Sequence, residues 1–112
     1  MNMKTIQSKV FDEYAKNGYQ QMWNRARELL RPEGLDGIVD LAELGLCITE
    51  LCEAMEEVRN KKVDKNALMT ECADAIIRIL NFMSNKNCWA DKCILAKHEK
   101  NLKREKLHGR GI

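Results

Sequence analysis

The feature that most constrains the fold of this chain is the helical spacing of its apolar residues. The stretch 38–59 carries apolar side chains three or four residues apart, at positions 41, 44, 48, 51, 55 and 58. The stretch 66–84 repeats the spacing with Leu68, Met69, Cys72, Ile76, Ile79, Leu80 and Met83. This spacing gives each helix one apolar stripe, which we expect to be buried. Because no convincing strand alternation occurs, the sequence predicts an all-α fold.

The breaks between the periodic stretches are short. The single proline, Pro32, lies in the segment RPEGLDG, and weaker breaks fall at Gly18, 60–66 and 84–87. Asn66 is the candidate N-cap of the helix that follows it. Short connections between amphipathic helices predict an antiparallel bundle of four to five helices.

The length of 112 residues predicts a single domain. We divide it into N-terminal helices (1–37), a helix pair (38–84) and a basic C-terminal helix with its tail (88–112). The first helical part, 4–17 and 19–31, is predicted to be one long or broken helix. A domain of this size buries only about two-thirds of its unfolded surface, so association would add stability.

The composition indicates a cytoplasmic protein that does not bind membranes. No run of about 18 apolar residues occurs, and the first ten residues lack the apolar core of a signal peptide. The five cysteines have no metal-binding or C-x-x-C spacing. We therefore interpret them as reduced thiols that are buried as small hydrophobic residues.

The charge is distributed unevenly along the chain. The segment 92–112 contains seven of the 19 Lys and Arg residues but only two of the 17 Asp and Glu residues. An acidic body with a basic tail could bind nucleic acid through the tail. It could equally bind one small polyanion through a metal ion held on the acidic body.

Two acidic pairs are the candidates for a metal site. Glu50 and Glu53 lie three residues apart on one helix, and Glu71 and Asp74 repeat this spacing on the next. A solvated helix face explains such pairs equally simply, since glutamate is a good helix former. However, the first pair has no lysine or arginine four residues away, and apolar residues surround both pairs. Uncompensated carboxylates near apolar side chains favour a bound cation, for which Mg²⁺ or Mn²⁺ is suited.

Three segments together resemble the MazG-like all-α NTP pyrophosphatases. ITELCEAMEEVRN at 48–60 is similar to their E-x-x-E segment, and TECADAIIRILNF at 70–82 is similar to their E-x-x-D segment. The third is KHEKNLKREKLHGRGI at 97–112, in which a K-x-x-x-N-x-x-R order leads into His-Gly. These segments lie within about residues 40–112. The N-terminal third carries no motif of this kind.

The resemblance implies a helical enzyme that hydrolyses nucleoside triphosphates between the α and β phosphates, with Mg²⁺ as the usual metal. It implies that one of the two catalytic candidates, Glu50 and Glu53, orients the attacking water. It also implies assembly as a homodimer or homotetramer. The implied metal ligands are Glu50, Glu53, Glu71 and Asp74. The implied contacts to phosphate or ribose are Lys97, Asn101 and Arg104, with His108 as a phosphate neighbour.

A few other residues have both a functional and a structural interpretation. Trp23 on the N-terminal helix could stack on a base, or it could be a core or subunit contact. Arg78, beside the second acidic pair, could pair with a carboxylate or contact phosphate. Ile77 points away from the main stripe and is expected to mark an oligomer contact.

Three functions therefore compete. The first is a metal-dependent (d)NTP pyrophosphohydrolase that removes unwanted nucleotides. The second is a related enzyme acting on phosphoribosyl-ATP, which would share the fold and the acids. The third is a non-enzymatic helical module whose basic tail binds nucleic acid or a partner. Of these, we expect the first, with a nucleoside triphosphate substrate and without a nucleic-acid partner.

Overall fold

The structure is a computed structural model that describes the backbone of residues 1–60 and 62–108, and their side chains as far as Arg104. It contains five α-helices and a short 3-10 turn, and no strand occurs in these ranges. The helices are α1 (Met3–Lys16), α2 (Tyr19–Leu30), α3 (Gly37–Arg59), α4 (Lys65–Asn85) and α5 (Ala90–His108). The predicted all-α class is confirmed.

Local chemistry explains where the helices begin and end. Asn2 caps α1 by accepting a hydrogen bond of 2.9 Å from the backbone N–H of Thr5. Gly18 adopts a φ of +83° between α1 and α2, so the N-terminal helix is broken there. Asp64 caps α4 by accepting bonds from the amides two and three residues on. The prediction that Asn66 is this cap is therefore wrong, because Asn66 already lies inside the helix.

Helices α3 and α4 form an antiparallel pair. Asn85 near the end of α4 donates to Glu43 near the start of α3, while Arg78 donates to Glu50 farther along. This order of contacts occurs only when the two helices run in opposite directions. The buried apolar residues in the middle of the pair are small, namely Cys47, Ala54 and Ala75. Small side chains let two helix axes approach closely.

The apolar stripes of α3 and α4 do not lie between these helices. All six residues of the predicted α3 stripe are exposed, from 41% for Leu44 to 70% for Leu41. On α4, Met69, Ile76 and Ile79 are exposed as well, whereas Leu80 is buried. The prediction that both stripes are buried is therefore wrong for the single chain. Instead, α3 contacts α4 through the face that carries its glutamates, roughly 110° around the helix from the stripe.

Buried amides connect the remaining helices. The Nε2 of Gln7 on α1 donates to Ser84 Oγ and to the carbonyl of Cys88, and its Oε1 accepts from the N–H of Ala90. These bonds attach α1 to the end of α4 and the start of α5. In the same way, Gln20 of α2 donates to Asn81 of α4. Polar groups in this core are thus paired with one another.

Two smaller predictions concern the cysteines and Ile77. The five cysteines are free, but only Cys47 is buried, and Cys52, Cys88 and Cys93 are exposed. The interpretation of all five as buried hydrophobic residues is therefore wrong. Ile77 is half-buried, whereas its neighbour Ile76 is 55% exposed. Ile76 is thus the more accessible of the two, and the oligomer contact expected at Ile77 stays a prediction.

Candidate metal centre

Three of the four predicted ligands meet at the middle of the α3–α4 pair. Glu50 and Glu53 lie one helical turn apart on α3, and Glu71 faces them from α4. One carboxylate oxygen from each residue lies within 4.8 Å of the other two. The antiparallel register therefore places negative groups from two helices around one point, as a site for a divalent cation requires.

The carboxylates of this cluster are only partly compensated. The guanidinium of Arg78 donates from Nε to Glu50 Oε1 at 3.1 Å. No other ion pair to the three glutamates occurs among the side chains that the structure describes. Oε2 of Glu71 is buried and has no hydrogen-bond partner within this part of the chain. A buried carboxylate oxygen without a partner is costly, and a cation among the three carboxylates would remove that cost.

The mutual repulsion of these groups is visible at Glu53. The adjacent Glu71 carboxyl, followed by the negative charge of Glu50, raises the pKa of Glu53 above its ordinary value. Glu53 is also the exposed member of the cluster, whereas the other two are half-buried. Glu53 therefore combines access to solvent with a raised pKa.

Asp74 does not join the three glutamates. It is half-buried one turn farther along α4, and it is not among the residues within 4.8 Å of one another. In the antiparallel register that the Glu50–Arg78 and Glu43–Asn85 contacts define, it lies opposite Ala54 rather than opposite a carboxylate. An aspartate side chain is also one methylene shorter than that of glutamate. For both reasons, the carboxylate of Asp74 stays outside the cluster in this structure.

Tyr14 of α1 is a neighbour of the site that no sequence pattern indicated. Burial raises the pKa of the Tyr14 hydroxyl, the positive charge of Arg78 opposes this shift, and the negative charge of Glu50 adds to it. These effects place Tyr14 within electrostatic range of the site. Only the packing of α1 against α4 brings it there, and no motif around Tyr14 marks it.

The predicted phosphate-binding residues lie apart from the carboxylates in the single chain. Lys97 and Asn101 line a surface pocket of about 380 Å³ on α5. Arg104 is exposed on the same helix, and α5 makes its main contacts with α1. Neither Lys97 nor Arg104 pairs with the three glutamates among the described side chains. As far as Arg104, the expected closure of the basic helix over the acidic site does not occur within one chain.

Trp23 and His108 are the two other residues predicted to contact the substrate. Trp23 is half-buried on α2, in line with either of its interpretations. The side chain of His108 lies outside the described residues. Both roles in substrate binding therefore stay predictions.

A second group of charged residues lies at the other end of the α3–α4 pair, and no sequence motif indicated it. Arg27 of α2 contacts both Asp40, at 2.9 Å, and Glu43 of α3. Lys86 approaches Asp40 to 2.5 Å. Burial opposes ionisation of Asp40, but the bonds from Lys86 and Arg27 outweigh it and hold the pKa of this carboxyl below its usual range. Two carboxylates and two cations thus balance each other.

Comparison with known proteins finds no match, so the function has to be inferred from the residues of the chain itself. No family model matches this chain, and no curated protein or solved structure is significantly similar to it. Within the described residues, no helix is both long enough and apolar enough to cross a membrane.

Proposed function

We propose that this chain is a metal-dependent nucleoside triphosphate pyrophosphohydrolase that cleaves (d)NTP between the α and β phosphates. The products would be a nucleoside monophosphate and pyrophosphate, as expected of an enzyme that clears unwanted nucleotides. One observation carries the proposal: carboxylates from two helices converge on one point, where a buried oxygen of Glu71 lacks a partner among the described residues. The resemblance of the two acidic segments and the basic tail to MazG-like enzymes supports the reaction type.

The donor set fits Mg²⁺, with Mn²⁺ as a close substitute. Glu50, Glu53 and Glu71 offer only oxygen atoms, which both ions prefer, and no thiol or imidazole takes part. Asp74 stays a predicted fourth ligand, since it would have to move towards the cation. When bound, the metal would neutralise phosphate charge and lower the pKa of a coordinated water.

Residues of the chain would activate the attacking water and contact the phosphates. Glu53 is exposed and has a raised pKa, so it suits the role of orienting the attacking water and accepting its proton. Glu50 is half-buried and held in place by Arg78. The guanidinium of Arg78 lies next to the carboxylates and suits contact with a phosphate oxygen.

The contribution of α5 requires a different arrangement from that in the single chain. Lys97, Asn101 and Arg104 are proposed to contact phosphate or ribose. They would reach a triphosphate at the carboxylates only if α5 of the same or another subunit lay closer to the α3–α4 pair. The proposed form of the protein is therefore an oligomeric bundle of the NTP-pyrophosphatase type, a homodimer or a homotetramer.

A substrate panel tests this function. The protein is incubated with the common NTPs, dNTPs and phosphoribosyl-ATP in Mg²⁺, and pyrophosphate and orthophosphate are measured separately. We expect pyrophosphate from a nucleotide substrate, and loss of activity in EDTA. Glu53→Gln should lower kcat by at least about 10²-fold, as removal of a general base does.

Glu56→Gln is the matched control, because Glu56 lies on the same helix but pairs with Arg59 on the surface. Its activity should equal that of the wild type. Release of orthophosphate alone would contradict cleavage between the α and β phosphates. Turnover of phosphoribosyl-ATP alone would favour the related enzyme, and salt-sensitive nucleic-acid binding without turnover would favour the non-enzymatic module.

A further inference from the structure

A cavity of about 370 Å³ lies between α1 and the connection from α4 to α5. Its volume is within the range of pockets that bind small molecules in proteins. The α1 side of the cavity is lined by Ser8, Phe11 and Asp12, and the other side by Ser84, Asn87 and Trp89. The cavity is separate from the candidate metal centre, because Ser84 lies 13 residues beyond Glu71 on α4, which corresponds to about 20 Å along the helix.

The wall that carries Trp89 is held in place by the buried amide of Gln7. Gln7 Nε2 donates to the carbonyl of Cys88 at 2.8 Å, and Gln7 Oε1 accepts from the N–H of Ala90 at 2.9 Å. These two bonds fix the residues on either side of Trp89. The preceding turn is fixed as well, since the backbone amides of Asn87 and Cys88 donate to carbonyls in the last turn of α4. The shape of the cavity is therefore set by the fold of the chain itself.

The lining of the cavity combines aromatic rings with one negative charge. Asp12 is the lining residue with a formal charge, and it is exposed. No ion pair to its carboxylate occurs among the side chains that the structure describes. Phe11 and Trp89 are 36% and 38% exposed, so that their rings are accessible to a ligand. A carboxylate beside aromatic rings attracts a cation with an apolar body and repels an anion.

The Trp89 ring already attracts a cation of the chain itself. The ammonium group of Lys4 lies 4.7 Å from the centre of the ring, which is within the distance of a cation–π contact. Lys4 is not a lining residue of the cavity, and no carboxylate pairs with it within the described part of the chain. The ring thus positions an ammonium group without the help of a negative partner. Inside the cavity, Asp12 would add the opposite charge.

We propose that this cavity binds a small organic cation, an ammonium group on an apolar or aromatic body. The ammonium group donates to the carboxylate of Asp12, and the oxygen atoms of Ser8 and Asn87 are acceptors for its other N–H groups. The apolar body covers the rings of Phe11 and Trp89. The inference does not depend on turnover at the carboxylates of α3 and α4, and its test is separate from that of the proposed function.

Three ligands of similar shape and different charge test the proposal, with binding followed by NMR at pH 7. Phenethylammonium should shift the indole N–H signal of Trp89 with a dissociation constant of about 1 mM or lower. The indole signal of Trp23 is the internal control and should not move, because Trp23 lies on α2 outside the cavity. The neutral 2-phenylethanol should bind at least about tenfold more weakly, and the anion phenylacetate should not bind. Equal binding of the ammonium and the alcohol, or no shift of Trp89 up to about 10 mM phenethylammonium, would overturn the proposal.

Three variants provide the second test. Asp12→Asn keeps the shape of the side chain and should weaken phenethylammonium binding about tenfold or more. Glu13→Gln is the matched control and should not change binding, because Glu13 is exposed, contacts Asn17 and does not line the cavity. Lys4→Met removes the competing ammonium of the chain and should bind phenethylammonium at least as tightly as the wild type. Unchanged binding by Asp12→Asn, or loss of binding in Lys4→Met, would contradict a cation site.

Discussion

Helix α3 carries two groups of carboxylates that differ in how their charge is balanced. Near its start, Asp40 and Glu43 contact Arg27 and Lys86, so that two negative groups meet two positive ones. About two turns later, Glu50 and Glu53 meet Glu71, and Arg78 is the one cation paired with them among the described side chains. We name these the balanced cluster, formed by Arg27, Asp40, Glu43 and Lys86, and the acidic cluster, formed by Glu50, Glu53 and Glu71.

We interpret the balanced cluster as structural and the acidic cluster as the proposed binding site for a cation. The balanced cluster joins α2, α3 and the end of α4, and its two negative groups face two positive ones. The acidic cluster has an excess of negative charge. Within the described part of the chain, each cluster has one buried atom without a hydrogen-bond partner, a cationic nitrogen of Arg27 in the first and a carboxylate oxygen of Glu71 in the second. Within one helix, the charge that neighbouring residues leave uncompensated therefore indicates where an external cation would bind.

The largest expected loss of stability comes from a substitution in the balanced cluster. Arg27→Ala would leave Asp40 and the buried Glu43 without their common partner, which should cost about 3–5 kcal/mol of unfolding free energy. Arg31→Ala is the control, because Arg31 is exposed and lies 3.8 Å from Asp36, a surface pair worth about 1 kcal/mol or less. Urea denaturation at one fixed protein concentration measures both. Equal losses would show that the balanced cluster is not structural.

A smaller effect is expected for Asp40→Asn. The pKa of Asp40 is lowered in the folded protein, so its ionic bonds stabilise the fold above the ordinary pKa of 3.8 and are lost as the pH falls through the folded value. The variant should be about 1 kcal/mol less stable than the wild type at pH 7, as for a partly exposed ion pair. The difference should shrink below about pH 4. Urea denaturation from pH 7 to pH 3 measures it, and a constant difference would contradict the assignment.

Removing a charge from the acidic cluster should stabilise the folded protein, whereas Asp40→Asn should destabilise it. Because the pKa of Glu53 is raised in the folded protein, its ionisation disfavours the fold as the pH rises through the folded value. Glu53→Gln should therefore have a higher melting temperature than the wild type at pH 7 in EDTA. The gap should close below about pH 4.5, the ordinary pKa of glutamate. A melting temperature below that of the wild type at pH 7 would contradict repulsion within the cluster.

The sequence predicted the helices more accurately than their packing. The bounds of the predicted stretches 38–59 and 66–84 differ from those of α3 and α4 by at most one residue. They agree because the spacing of apolar residues and the breaks between helices are local properties. The buried face could not be predicted in the same way. An apolar stripe such as that from Leu41 to Val58 indicates a surface that needs cover, but does not specify whether the same chain or another molecule provides it.

The candidate site was predictable in part for the same reason. Glu50, Glu53 and Glu71 meet because helical spacing and antiparallel pairing bring them together. Asp74 remains outside because the register of the two helices places it opposite Ala54, and spacing along one helix does not reveal that register. The balanced cluster depends on the contact of α2 with α3. In this contact Arg27 meets Asp40 and Glu43, which lie 13 and 16 positions after it in the sequence. No local pattern encodes that contact.

The most direct test of the central claim is a titration of the protein with Mn²⁺, followed by the loss of the free-ion signal in electron paramagnetic resonance. The wild type should bind Mn²⁺, and Mg²⁺ should compete for the same site. Glu53→Gln should weaken binding by more than about tenfold, since it removes one of three charged ligands, while Glu56→Gln should not change it. Absence of binding to the wild type, or equal binding by Glu53→Gln, would contradict the assignment of the acidic cluster as a metal centre.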